Sequence, residues 1–451
     1  MKKTIISIIT IILAAVLASG CAGTPQADQT IPNPAAIDVP ADEESFDPAS
    51  LADPENTLEY YLGAFDETVV LSTENAVFTE TEDGLRLESY EGSLPSVTVP
   101  EKLEGKTVAS VGENAFAGHT ELTSLSLPDS LRAIPAGILA DCAALCVLCL
   151  PINEEQVCLA ALFDQGQAVY TDNPFRVPDS LKCVCASGSI PECFFWGCTG
   201  LVCACVEGSE IGDYVFYGCG LLQSIILRSG LTAIGSSAFY NTAIETLTVP
   251  GTVESIGLGA FGSCNALRSL ELPFVGGSRE DNTYLGYVFG AENYTWSGDF
   301  ISASLWRVTL EEGCESLGEW AFYGSRIREV SLPQSLVSIG IRAFSDCEYL
   351  RSAELPDAVR SIGRDAFFRC LRLRTVHFPE QLERIGEQAF YRCASLESAA
   401  LPDGLGKIPD LCFYGCQSLA EVSFNPVCLI GVKAFAGTPV QYRFEPLPET
   451  E

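Results

Sequence analysis

Histidine is nearly missing from this chain, with only His119 and His377 in 451 residues. Nucleophile-base catalysis and most transition-metal sites call on an imidazole, and neither histidine has a sequence neighbour that reads as a nucleophile or a metal ligand. Cations are scarce too: 26 Lys and Arg stand against 59 Asp and Glu, for a net charge of -33. Such a chain lacks the clustered cations that phosphate contacts require, which excludes nucleic acid as a partner, and an acidic membrane surface repels it. No P-loop, dinucleotide glycine pattern or HExxH sequence occurs. Scattered carboxylates read as a solvated face, so neither an enzyme nor a cofactor is expected.

What is present begins with Lys2 and Lys3, an apolar run over residues 5–18, and then Ala18-Ser19-Gly20-Cys21. The run is too short to span a bilayer comfortably and reads as an export signal over residues 1–20. Small residues before a cysteine resemble the signal-peptidase site of bacterial lipoproteins, which implies acyl chains on Cys21 as the only membrane contact; an ordinary secretory signal is the alternative. Residues 21–57 are rich in Pro, Ala, Asp, Glu and Thr without apolar periodicity, and read as a disordered tether. Residues 22–104 carry 19 Asp and Glu against Arg86 and Lys102, so much of the negative charge sits at this end. The rest of a chain that is 47% hydrophobic has enough apolar surface for a large core.

That core is written in a repeat of about 23 residues. One unit reads Ile256-Gly257-Leu258-Gly259-Ala260-Phe261, then Cys264, Leu267, Leu270, Leu272 and Pro273. Its Phe recurs at Phe116, Phe195, Phe216, Phe239, Phe322, Phe344, Phe367, Phe390, Phe413 and Phe435, with Leu139 in the same role. Two gaps each hold a degenerate unit and an insertion, and they match: Leu162-Phe163 followed by Leu181 and Val184, and Val288-Phe289 followed by Leu305 and Val308. Within a unit, Leu270 and Leu272 alternate with Ser269 and Glu271, as a short strand does with one face buried. A second extended segment leads to Ile256, and Gly257 is expected to allow a turn into a short helical piece carrying Ala260 and Phe261. One coil cannot enclose its own apolar residues but a stack can, so the fold is a repeat solenoid with about thirteen parallel strands at about 4.8 Å spacing.

The motif I-G-x-x-A-F-x-x-C-x-x-L-x-x-L-x-L-P resembles the BspA-type leucine-rich repeats of bacterial surface proteins, over residues 77–435. Residues 78–90 resemble that family's opening hairpin. The division of the chain is then a cap and hairpin over 58–110, a solenoid over 111–438 with insertions near 152–180 and 274–303, and a cap and tail over 439–451. The resemblance implies attachment, recognition or host contact at the cell surface, and no particular ligand.

Twenty cysteines in an exported chain suggest disulfides, but the register argues otherwise. Cys142, Cys198, Cys219, Cys264, Cys347, Cys370, Cys393 and Cys416 all fall three residues after the Phe position, where other units hold His119, Thr242, Ser325 or Thr438. A disulfide framework would not tolerate those substitutes, and a small, weakly hydrogen-bonding residue suits a buried turn. A second group, Cys183, Cys185, Cys203 and Cys205, is placed on the outer face of adjacent strands. These thiols are open to metal binding, to oxidation, or simply to being small residues where small residues fit. Cys146 and Cys149 have CxxC spacing but lie on a strand, where a redox motif does not belong.

Binding residues are sought on the open side of the sheet and in insertions, since both lie outside the stacked core. Arg268, Trp306, Arg328, Arg351 and Arg374 fall at or just before the strand in successive later units, a line of planar cations suited to carboxylate or sulfate groups; pairing with local acids such as Glu329 and Glu354 is the alternative. The insertion over 274–303 carries Tyr294 and Trp296 among small polar residues, and is expected to stand beside Arg268, Trp306 and Arg328; aromatics with Arg dominate many interfaces. These readings describe a surface binding protein with a host or bacterial protein or glycan as partner. Their rival is an assembly or spacing lipoprotein of the envelope with no external ligand.

Overall fold

The computed structural model describes Tyr60 and residues 68–152, 158–163, 177–281 and 283–444. The export signal, Cys21, the tether, most of the first insertion and the final residues lie outside these. The chain coils so that every turn of the solenoid contributes a short strand to one long parallel array. Its members run from Val69–Val70 and Ser96–Thr98 through Ser124–Ser126, Val147–Pro151 and Cys183–Ser187 to Glu421–Ser423. The array has fifteen strands among the described residues, because two precede the thirteen that the leucine spacing reveals. Each pairs in parallel register: Leu247 lies beside Leu270, Leu270 beside Val308, and Val308 beside Val330. The opening hairpin is present, Ala76–Thr81 running antiparallel to Gly84–Tyr90.

A second parallel ladder of two-residue strands follows the expected extended segment, with Ile234 beside Ile256 and Ile339 beside Ile362. The glycine after each of these Ile positions has a different reason from the one its sequence suggests. Gly257 and Gly363 do not adopt a left-handed conformation; a Cβ on Gly363 would stand 2.6 Å from the Gly340 carbonyl carbon, and one on Gly257 2.3 Å from the Ser236 nitrogen. Here neighbouring coils approach backbone to backbone, and only hydrogen fits between them.

The third side also departs from expectation. No helix forms around Ala260 and Phe261, only linked turns. Two residues per coil are left-handed, one two places before the Phe (Trp320, Arg342, Asp365) and one two places after it (Asp346, Arg369). The reversals of handedness break any run of helical hydrogen bonds and turn alternate N–H groups toward the next coil: Phe239 donates to Ala260 O at 2.8 Å, Phe344 to Ala366 O at 2.7 Å and Phe367 to Ala389 O at 2.7 Å. The backbone demand is met between coils instead of within them.

Inside the three ladders the Phe side chains form one file. Phe344, Phe367 and Phe390 are fully buried, and successive rings lie 5.0 and 5.1 Å apart and nearly parallel. The cysteine three places on is buried beside it, and its thiol donates to the carbonyl of the preceding coil's Phe: Cys347 to Phe322 O, Cys370 to Phe344 O, Cys393 to Phe367 O and Cys416 to Phe390 O, at 3.0 to 3.1 Å. At the same position Thr438 Oγ1 donates instead to the carbonyl of its own coil's Phe435 at 2.7 Å, so a hydroxyl there finds a partner within the turn. Every described cysteine is free. Burial pushes Cys219, Cys347 and Cys416 up to about 12, so these groups are neutral thiols at physiological pH.

Candidate functional site

Two surfaces gather the residues expected to bind. On the sheet side, the arginine column is continuous through the backbone: Trp306 N–H donates to Arg268 O, Arg328 to Trp306 O, Arg351 to Arg328 O and Arg374 to Arg351 O, at 2.8 to 3.1 Å. The column is bounded by Glu245 before Arg268 and Glu397 after Arg374. Glu329 does not pair with Arg328. Its carboxylate accepts from Arg307 at 2.7 Å, and the Arg307 guanidinium lies 4.6 Å from the Trp306 ring centre. The side chains of Arg328, Arg351 and Arg374 have no ion pair or hydrogen bond among the described residues. Their backbones follow one another at about the strand spacing of 4.8 Å, so an anionic ligand laid along the column would meet several guanidiniums in succession.

The second surface lies on the turn side, built by the insertion and not foreseen in full. Much of residues 274–303 completes a coil: Phe274, Leu285, Val288 and Phe289 are buried, and Phe289 takes the ladder place next to Phe261. What protrudes is the stretch after Gly290, where Asn293 caps the short turn Tyr294–Trp296 by accepting from Thr295 N–H at 3.1 Å, and Ser297–Phe300 follows as one helical turn. Ser297 is buried and its Oγ accepts from Gly286 N–H at 3.0 Å, tying the protrusion to the coil beneath. Tyr294 and Trp296 are 41% and 58% exposed.

The insertion does not lean on the arginine column. Tyr294 stacks on Trp320 at 4.5 Å, Trp320 meets Tyr323 edge-on at 4.8 Å, and the Arg342 guanidinium lies 4.7 Å from the Trp320 ring centre. Arg342 is held in turn by Asp365 at 3.0 Å. Trp320, Arg342 and Asp365 occupy the left-handed position of three successive coils, so one conformation that side chains seldom adopt sets all three in line. On the same side, the residue after the ladder Phe forms two half-buried aromatic stacks in other coils: Tyr217 on Tyr240 at 4.8 Å, and Phe368 on Tyr391 on Tyr414 at 5.0 Å each. The signal for them stands in the sequence as repeated Phe-Tyr pairs, such as Phe216-Tyr217 and Phe390-Tyr391.

The outer-face cysteines are brought together as expected, with Cys183 beside Cys203 and Cys185 beside Cys205. They do not project into solvent: Cys183 and Cys203 are fully buried and Cys205 nearly so, while Cys185 stays partly exposed. Among the described residues no three or more His, Cys, Asp or Glu side chains are arranged to hold a metal ion, so the four-thiol zinc arrangement does not fit. His119 occupies the turn-cysteine position, its Nδ1 3.0 Å from the carbonyl of its own coil's Phe116, and His377 lies exposed on the sheet beside Glu354. No helix among the described residues is long and apolar enough to cross a membrane.

Comparison with known proteins bears on the repeat. No curated protein matches the chain. Among solved structures, a leucine-rich repeat protein from Bacteroides ovatus is 22% identical over 80% of this chain and 79% of its own, with a TM-score of 0.38. A leucine rich cell surface protein from Faecalibacterium prausnitzii is 20% identical over 78% and 93%, with a TM-score of 0.28. The leucine-rich repeat protein of T. pallidum is 16% identical over 82% and 89%, with a TM-score of 0.24. The family profile described as BspA type leucine rich repeat region matches residues 88–164, 188–281, 297–419 and 339–444. Those matches span most of the described solenoid, its ladder Phe and its turn cysteines, and this chain therefore belongs to the BspA-type leucine-rich-repeat family.

Proposed function

We propose that this chain is a recognition protein of the bacterial cell surface, anchored through acyl chains on Cys21 and held off the membrane by residues 21–57, whose solenoid binds a protein or glycan. The observation that carries the reading is the exposed pair Tyr294 and Trp296, with Tyr294 stacked on Trp320 and the Arg342 guanidinium against that same Trp320 ring. Large, rigid aromatic faces beside a guanidinium lose little side-chain entropy on binding and dominate interface energetics. A second site is favoured by the unpaired side chains of Arg328, Arg351 and Arg374, which suit an acidic segment or a sulfated glycan.

The test is capture of immobilised matrix proteins and glycans by the purified chain, compared with Tyr294→Ala/Trp296→Ala and with Arg328→Ala/Arg351→Ala/Arg374→Ala. Loss of capture by the first variant, with an unchanged melting profile, supports the turn-side surface; loss by the second supports the column. Full capture by both variants overturns the two surfaces together, and absence of any capture by the unaltered chain favours the assembly role over recognition.

A further inference from the structure

Solenoids keep the outward faces of their end coils polar, because nothing stacks beyond them. The last coil of this chain does the reverse. Its strand in the second ladder, Leu429–Ile430, puts Leu429 where the four preceding coils carry Ser338, Ser361, Arg384 and Lys407. Two places after the ladder Ile it sets Val432, where the three preceding coils carry Arg364, Glu387 and Asp410. Leu429 is 68% exposed, Val432 67% and Val427 83%, and Ile430 is exposed where Ile408 of the coil before is fully buried.

The chain's own cap stops short of this side. Phe444 closes the phenylalanine file by packing on Phe424 and Phe435, with ring centres 5.3 and 4.9 Å apart. Leu429–Ile430 is left with a single hydrogen-bonded neighbour among the described residues, Lys407–Ile408. Residues 445–451 bring one apolar side chain, Leu447, with three carboxylates, and Pro446 and Pro448 lack the N–H groups that pairing with a strand edge needs.

What fits an apolar rim around an open strand edge is the same rim on a second copy. A two-fold axis across this end sets Leu429–Ile430 antiparallel to its counterpart, gives the open edge backbone partners and covers the apolar side chains with their own kind. Charge argues against head-to-tail stacking instead. The opposite end belongs to the stretch in which 19 Asp and Glu over residues 22–104 face only Arg86 and Lys102, and exposed carboxylates there, such as Glu80 and Glu82, would lose water against Leu429 and Val432.

We propose that the last coil is a self-association surface through which two copies join end to end. The fifteen strands of the main array make each solenoid about 70 Å long, so joined copies carry their N-termini at opposite ends of a rod about twice that length. With each copy anchored at Cys21, a step that rests on the function proposed above, the pair spans two facing cell surfaces and the protein is its own receptor.

Sedimentation of the mature chain over a range of concentrations, with small-angle scattering on the same samples, tests the joint; Cys21→Ser is used throughout, so that no acyl chain holds copies together. A mass rising to twice that of one chain and a longest dimension close to doubled are expected. Leu429→Lys/Val432→Asp gives the last coil the side chains its predecessor carries at Lys407 and Asp410; it should stay folded by circular dichroism and lose the dimer, while Trp296→Ala should keep it. Should the double variant unfold, Leu429→Ser, matching Ser338 and Ser361, takes its place. A chain monomeric at every concentration overturns the proposal, as does a dimer that persists in the folded variant or one no longer than a single chain. Beads bearing the chain through its N-terminus should clump, and dimers in solution without clumping overturn the bridging of surfaces. Fatty-acid labelling at Cys21 reads the anchor alone, so its failure leaves the dimer result standing.

Discussion

Phe367→Ala tests the phenylalanine file where it is most regular. The ring is fully buried and stacks at 5.0 Å on Phe344 and 5.1 Å on Phe390. Truncating a core Phe costs about 3 to 5 kcal/mol, and each aromatic pair contributes about 0.5 to 1.5 kcal/mol beyond its area; losing two pairs places this site near the upper end. Phe367→Leu keeps most of the buried volume but loses both ring pairs, so about 1 to 3 kcal/mol is expected. Because stacking contacts run only between adjacent coils, the damage should be local first. Urea unfolding gives the magnitude and hydrogen exchange the location: the amides of Phe344 and Phe367, which donate to Ala366 and Ala389, should lose protection before those near Leu125. A loss below about 0.5 kcal/mol, the size of an ordinary surface change, or protection lost evenly along the solenoid, would refute the reasoning.

Burial raises the Cys219, Cys347 and Cys416 thiols from 9.0 to about 12. The folded state holds these protons more tightly, so the associated stability is complete below pH 9 and is lost as pH rises from 9 toward 12; at pH 10 each thiol costs about 1.4 kcal/mol. Cys347→Ala should therefore show a fall in urea stability between pH 8 and 10 that is smaller by about that amount, and an equal fall would mean the thiol is not its source. Gly363→Ala, which drives a Cβ into the Gly340 backbone, should cost about 1 to 3 kcal/mol, while Gly404→Ala, where a Cβ would meet nothing, should leave the thermal midpoint within error. Cys21→Ser should abolish uptake of labelled fatty acid in the bacterial host; persistent label would place the anchor elsewhere.

The coil's interior was legible because a stack repeats its own evidence. Phe, Cys and Leu recur at fixed offsets, and a misread unit is corrected by its neighbours, which is why even Phe289 in the degenerate unit was placed. What one coil's sequence does not hold is the distance to the next. Gly257 reads as a turn residue in isolation, and only the approach of Ser236 shows it to be a contact residue. The loss of the helix was masked because the left-handed position before the Phe is filled in several coils by Trp320, Arg342, Gln388 and Lys433, although Gly259 there and Gly218, Gly324 and Gly415 two places after the Phe do carry the glycine signature of that conformation. Pairing followed the same rule: Arg328 has Glu329 beside it in the chain, but Arg307, one coil earlier, stands opposite that carboxylate in the sheet.

The main ladder resumes in register after each interruption. Ser269 pairs directly with Arg307 and Val147 with Cys183, across chain stretches far longer than one coil, and Phe289 keeps its place beside Phe261. The buried part of the insertion thus keeps the register of the solenoid, and only the stretch after Gly290 that protrudes from it, with Tyr294 and Trp296 exposed, is free of the constraints that bind the coil positions. A lineage can exchange the Tyr294–Trp296 protrusion for another, or lengthen it, while inheriting the scaffold intact, so that specificity and stability evolve on separate clocks.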